Sequence, residues 1–123
     1  MRNSKLTLLD KLAEIHESIE LIEDWSSFAT QPLDFMLSPY GVMAFNACVM
    51  RLQVIGENVG KLLKDENQPL SGYDSIPWQA IYSMRNLISH EYSNIDEEVV
   101  YSVIKSDLLP LKKAIESMME KYC

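Results

Sequence analysis

Residues 77–92 read PWQAIYSMRNLISHEY, and this stretch decides how the rest of the chain is interpreted. Its apolar residues recur at three- and four-residue steps, which predicts one helix that begins at a proline and ends near His90. Its last eight residues hold a fixed cation, an amide, an imidazole and a phenol: Arg85, Asn86, His90 and Tyr92. Nothing else in the sequence concentrates that much chemistry, so we expect the functional site here.

Helical periodicity continues on both sides of this segment. It predicts a first helix over about residues 4–28 and a second from a Ser38–Pro39 start to about residue 64. Another helix begins near residue 97, and Pro110 should kink or break it. No strand pattern competes. We therefore predict an all-α fold, an up-and-down four-helix bundle with a kinked or broken C-terminal helix, as a single domain over residues 1–123.

The periodicity of the predicted second helix indicates which of its residues are buried. Its buried stripe should run through Val42, Phe45, Val49, Leu52, Ile55 or Gly56, Val59 and Leu63. Met36, Met43 and Met50 should fill gaps beside it.

Two glycines, Gly56 and Gly60, lie four residues apart in the same helix. A phosphate loop needs a different glycine spacing and a hydroxyl residue after the lysine, so the close approach of another helix is the better explanation. Glu57 is the one acid embedded near the apolar stripe, and it is a supporting candidate for a site.

Composition limits the classes of function. With 47% apolar and 24% charged residues, the chain is neither disordered nor a membrane protein, and no signal-peptide pattern is present, so we expect a cytoplasmic location. Two histidines and two cysteines, far apart, predict no disulfide framework, metal or other cofactor.

The net charge of −7 argues against a broad nucleic-acid groove. It leaves room for a small site with basic groups gathered locally, around Arg51, Lys61 and Arg85. A structured RNA bound at few phosphates, or a basic partner protein, would also suit this charge.

The polar residues of the third helix suit the cleavage of RNA. Arg85 stays charged and can bind phosphate through a planar fork of donors, and an imidazole such as that of His90 can exchange a proton near neutral pH. With the 2′-hydroxyl as nucleophile, this pair would cleave RNA without a metal, and Asn86 could position the imidazole or the phosphate. On spacing alone, a helix cap and a surface pair remain the commoner explanation.

Helical geometry sets a condition on this chemistry. Arg85 and His90 are five residues apart, so they point roughly 140° apart on a regular helix. They converge only through long side-chain reach, through a helix that ends before His90, or through two copies that face each other across a two-fold axis. The last route favours a homodimer.

The order Arg-x4-His-x-Tyr in RNLISHEY resembles the signature of the HEPN ribonuclease superfamily, in particular of HepT-like toxins. LQVIGENVGKLL is similar to the second-helix segment of that family, and IPWQAIYSMRNLISHEYSNIDEEVVYSVIKSDLLPLKK to its third-helix and C-terminal pattern. The likeness covers about residues 43–119 well and the first helix only loosely. Asn58 departs from the pattern, since the family commonly has alanine after Ile-Gly-Glu.

The resemblance implies an HEPN-like, all-helical homodimer that acts as a metal-independent endoribonuclease toxin of a type VII (HEPN–MNT) toxin–antitoxin pair. Arg85 and His90 would be catalytic at the dimer interface, with Asn86 in support. The partner would be a nucleotidyltransferase-fold antitoxin that transfers AMP to Tyr92, which adds bulk and negative charge where RNA phosphate must bind. The alternative is a non-enzymatic helical dimer that binds such a partner or a nucleotide.

Overall fold

The computed structural model describes residues 4–90 and 96–122, with side chains over residues 7–85 and 96–122. Five α-helices account for most of this part of the chain: α1 (Ser4–Trp25), α2 (Pro39–Leu63), α3 (Trp78–His90), α4 (Glu97–Ser102) and α5 (Leu108–Tyr122). A 3₁₀ turn, Pro32–Phe35, precedes α2, and a π-helical turn, Val103–Asp107, joins α4 to α5. No strand occurs in these two ranges, and the predicted all-α fold is confirmed.

The core lies between α2 and its neighbours. α2 contacts α1 on one side and α3 on the other, and α1 also contacts α5. The apolar residues of α1 that recur at three- and four-residue steps are buried at Leu8, Leu12, Ile15, Ile19 and Ile22, and Trp25 at the end of this stripe is half-buried. Among the helices that the structure describes, none has the length and apolar content required to cross a membrane.

The start of α2 matches the sequence pattern. The Ser38 hydroxyl accepts a hydrogen bond of 2.9 Å from the backbone N–H of Gly41, and Pro39 is the first helical residue. Proline costs little there because the first backbone N–H groups of a helix have no partner within the helix.

The predicted irregularity at Pro110 takes the form of a π-helical turn. The backbone stays helical from α4 into α5, and the five residues before α5 form the wider turn. Proline has no N–H to donate to the carbonyl four residues earlier, so a regular α-helical ladder cannot continue through it. A π-helical turn is one of the few identifiable causes of a bend in a helix.

The predicted stripe of α2 is buried at Phe45, Val49, Leu52, Ile55 and Val59, but the expectations for Val42 and the methionines were wrong. Val42 is 41% exposed, and Met36, Met43 and Met50 are 40%, 62% and 54% exposed. The 3₁₀ turn packs against Gly41, where an added Cβ would collide with the backbone of Asp34, so the buried side of this first turn is rotated away from Val42. The methionines therefore form an exposed apolar surface and do not fill the core.

Asn58 contributes to the contact between α1 and α2. It is only 5% exposed, and its amide donates to the Glu14 carboxylate at 3.0 Å and to the Val54 carbonyl at 3.1 Å. A buried amide is tolerated when its hydrogen bonds are satisfied. The departure from the family pattern at this position is therefore a polar link between two helices.

Polar side-chain contacts join α1 to α5. His16, which the surrounding charges suggest is a solvated surface residue, lies 2.9 Å from the Glu116 carboxylate. Lys112 donates to Glu23 at 2.9 Å, and this hydrogen bond raises the pKa of the lysine above its ordinary value.

Cys48 is fully buried between α1 and α2. Burial raises the pKa of its thiol to about 11, because the thiolate would lose its hydration. The side chain therefore behaves as a small apolar core residue.

The predicted close approach of another helix at Gly56 and Gly60 is confirmed, and α3 is the helix. A Cβ added at Gly56 would lie 3.0 Å from the Cβ of Arg85. One added at Gly60 would overlap the Tyr82 ring, with Cδ1 at 2.6 Å. Glycine at both positions therefore allows α3 to lie against the backbone of α2.

We expect Gly60→Ala to lower the free energy of unfolding by about 1–3 kcal/mol, because the added methyl group has no space beside Tyr82. In a Tyr82→Ala background the space exists. The same substitution should then raise the free energy of unfolding by up to about 1 kcal/mol, the difference in helix propensity. Urea unfolding of the four proteins measures this reversal of sign, and the same sign in both backgrounds would contradict the packing described here.

Candidate active site

A surface pocket of about 250 Å³ lies where the C-terminal half of α2 meets α3. Its lining residues are Glu57, Gly60, Lys61, Lys64, Tyr82 and Arg85. Two of the predicted site residues, Glu57 and Arg85, therefore meet in one pocket although 28 positions separate them in the sequence.

The α2 side of the pocket follows from helical spacing. Glu57, Lys61 and Lys64 are four and three residues apart, which places their side chains on one side of the helix. Gly60 lies between them and provides a floor without a side chain. Lys61 belongs to the last turn of α2, and Lys64 is the residue that caps it.

The α3 side consists of an aromatic ring and a cation. Tyr82 and Arg85 are three residues apart, and the Arg85 guanidinium carbon lies 5.9 Å from the centroid of the Tyr82 ring. The Lys64 ammonium lies at the same distance, 5.9 Å, from that centroid. Both distances are within the range of a cation–π interaction. Cations from two helices, Lys64 of the α2 cap and Arg85 of α3, therefore lie near the same Tyr82 ring.

The charge of the pocket is opposite to that of the protein. Three cationic side chains line it with one carboxylate, whereas the whole chain carries a net charge of −7. Within a half-enclosed surface, such a cluster attracts anions at short range, and distant acidic residues are screened by salt. The pocket is therefore suited to bind a phosphate-bearing ligand.

The basic cluster differs from the expected one. Lys61 and Arg85 belong to it, but Arg51 does not line the pocket and instead donates to the Ser18 hydroxyl of α1 at 3.3 Å. Lys64 and Tyr82 were missed. Their spacing from Lys61 and from Arg85, three residues in each case, is the signal that could have identified them.

Arg85 is partly buried, because its side chain begins beside Gly56 in the contact between α2 and α3. α3 continues through His90, so the helix does not end between the two proposed catalytic residues.

The side chains of Asn86 and His90, and all of Tyr92, lie outside the described residues. Their predicted roles stay predictions.

Among the side chains that the structure describes, no three from histidine, cysteine, aspartate and glutamate are grouped to hold a metal ion. That the reaction needs no metal stays a prediction.

Comparison with known proteins gives the family. The family model described as "Ribonuclease HepT-like" matches residues 15–118. The chain is 29% identical over 109 residues to the "Probable ribonuclease HepT" of Thermococcus cleftensis, covering 89% of this chain and 93% of that protein. No solved structure gives a significant match.

Another relative is longer than this chain. Over 110 residues the chain is 32% identical to the "Gamma-glutamylcyclotransferase and putative RNase" of Methanocaldococcus jannaschii, covering 89% of this chain and 46% of that protein. This chain therefore spans less than half the length of that relative. A second protein of the same organism, named "Putative RNase", is 25% identical over 115 residues, which are 94% of this chain and 95% of that protein.

The family match covers most of the chain, including α2, α3 and the basic pocket between them. The all-helical fold agrees with the resemblance seen in the sequence. The chain belongs to the HepT-like ribonuclease family.

Proposed function

We propose that this protein is a metal-independent endoribonuclease toxin of a HEPN–MNT (type VII) toxin–antitoxin pair. Arg85 and His90 are its catalytic residues, with Asn86 and Glu57 in support. A nucleotidyltransferase-fold antitoxin neutralises it by transferring AMP to Tyr92.

One observation carries the proposal: Arg85, the arginine of the family motif, lines a pocket whose net charge is positive on an acidic protein. An RNA phosphate is an anion that a planar guanidinium binds well. The family match supports the same chemistry independently of the charge.

The proposed reaction uses the RNA's own 2′-hydroxyl as the nucleophile. His90 removes the hydroxyl proton as the oxygen attacks the adjacent phosphorus, or returns a proton to the 5′-oxygen as the P–O bond breaks. Arg85 stabilises the additional negative charge on the phosphate in the transition state. Glu57 lines the same pocket as Arg85, and its proposed role is to support the site.

The proposed site is formed by two copies of the chain. Arg85 and His90 occupy one continuous helix five positions apart, a spacing that directs them away from each other. A second copy related by a two-fold axis can bring the histidine of one chain to the arginine of the other. The exposed apolar residues of α2, Tyr40, Met43 and Met50, provide surface that such an association can bury.

We expect His90→Ala to abolish RNA cleavage and growth arrest, because the proton transfer step loses its base. The measurement compares cells that express the parent or the variant at equal levels, with total RNA examined from both, and the purified proteins with RNA in EDTA. His16→Ala is the matched control, since His16 lies at the contact between α1 and α5 and should retain activity. If neither the parent nor His90→Ala does anything, and the purified parent leaves RNA intact in the absence of an AMP adduct, the non-enzymatic binding module is favoured instead. Equal cleavage by both would overturn the role of His90.

Mixing two inactive variants tests whether the site is shared between chains. Arg85→Ala and His90→Ala, refolded together, should recover about a quarter of the parent's RNA cleavage, since half of the dimers are mixed and each mixed dimer has one complete site. A mixture of Arg85→Ala with the double variant Arg85→Ala/His90→Ala has no complete site and serves as the control. Cleavage no higher than in this control would place both residues of a site in one chain.

Modification of the tyrosine is tested by mass. After co-expression with a nucleotidyltransferase-fold antitoxin, the intact protein should gain the mass of one or more adenylyl groups and lose RNA cleavage. Tyr92→Phe should gain none and should stay active in the presence of that antitoxin. Tyr40→Phe, an exposed tyrosine on α2, is the control and should be modified like the parent. An adduct on Tyr92→Phe would show that another residue accepts the AMP.

A further inference from the structure

We infer that Lys61 and Lys64 form a second phosphate subsite, which binds an RNA phosphate that neighbours the one bound at Arg85. The inference rests on the proposed function, because it concerns the same pocket and assigns its substrate contacts. It makes the two lysines substrate-positioning residues, separate from the catalytic pair.

The cations of the pocket come from two helices. Lys61 and Lys64 come from α2 and Arg85 comes from α3, and all three line the same pocket. Lys64 and Arg85 each lie 5.9 Å from the centroid of Tyr82, so their charged groups are at most about 12 Å apart. A few successive phosphates of one strand cover such a separation. The pocket can therefore contact more than the phosphate that is cleaved.

The residues that line the pocket carry a net positive charge. Glu57 is the one acidic residue that lines the pocket, so the lining carries a charge of +2. Like charges held close together repel, and an anion that binds between them removes this cost. One phosphodiester brings a single negative charge. A second neighbouring phosphate brings the other.

The Tyr82 ring holds a fixed position beside the cations. It lies against the backbone of α2 because residue 60 has no side chain. The contact between α2 and α3 therefore sets the position of the ring, and the charged groups of Lys64 and Arg85 each lie 5.9 Å from its centroid.

A purely structural role for Lys61 and Lys64 predicts a different effect of removing them. Lys61 is in the last turn of α2, where a cation interacts favourably with the helix dipole. On that account, removing the lysines changes stability and leaves RNA binding unchanged. Binding measured as a function of salt separates the two roles, because each phosphate contact releases counterions.

The experiment uses the full-length parent and a short single-stranded RNA with methylated 2′-oxygens, which the proposed reaction cannot cleave. Dissociation constants are measured from about 50 to 200 mM salt. Lys61→Gln/Lys64→Gln should weaken binding at the lowest salt by about tenfold or more and should reduce the slope of log K against log salt by about 0.7–1.4.

The control is Lys113→Gln/Lys121→Gln, which changes the net charge equally on exposed residues of α5. Its slope and its affinity at the lowest salt should stay close to those of the parent. A loss equal to that of the pocket variant would show a general charge effect and would overturn the subsite. Urea unfolding of both variants confirms that each is folded under the binding conditions.

The outcomes for the subsite and for the ribonuclease are distinguishable. If the parent cleaves unmodified RNA and the Lys61→Gln/Lys64→Gln slope equals that of the parent, the subsite is wrong and the proposed function stands. If the parent cleaves nothing but its slope depends on the two lysines, the subsite stands and the chain is an RNA-binding member of the family. A parent that does not bind the methylated RNA overturns the subsite.

Discussion

The contact on which this structure depends is the approach of α3 to α2 at Gly56 and Gly60. A side chain at either glycine would meet Arg85 or Tyr82, so the two helices can lie this close only because both residues lack one. The glycines reduce the intrinsic helix propensity of α2 by about 1 kcal/mol each. The burial of α3 against α2 offsets that cost. The same contact fixes the position of the Arg85 Cβ beside Gly56.

The same contact explains how an acidic protein can present a basic site. The acidic residues are spread over the chain, whereas Lys61, Lys64 and Arg85 are collected by two helices around one aromatic ring. At physiological salt, charges more than about 8 Å away are largely screened, so the local cluster determines what binds. Net charge is therefore a guide to a broad nucleic-acid surface and a poor guide to a small pocket.

The spacing of Arg85 and His90 along α3 limits how the two proposed catalytic residues can act together. Arg85 lies in the pocket, and α3 continues without interruption to His90. Residues five apart on a regular helix point roughly 140° apart, and the proposed dimer would bring the arginine of one chain to the histidine of the other. The exposed methionines of α2 suit such a dimer, and they show why a residue type that often fills cores need not do so.

The sequence by itself determined the helices, the capped start of α2 at Ser38 and Pro39, the glycine contact and the family, because each rests on local spacing. Local spacing also placed Arg85 and Glu57 among the site residues, and these two do meet in one pocket. Only the tertiary structure decided that Arg51 lies toward α1 and that Lys64 and Tyr82 complete the pocket. It also decided that Val42 and Met43 are exposed, because the turn packed on Gly41 covers a different side of α2. Periodicity shows which residues share a side of a helix, whereas the neighbouring element decides which side is covered.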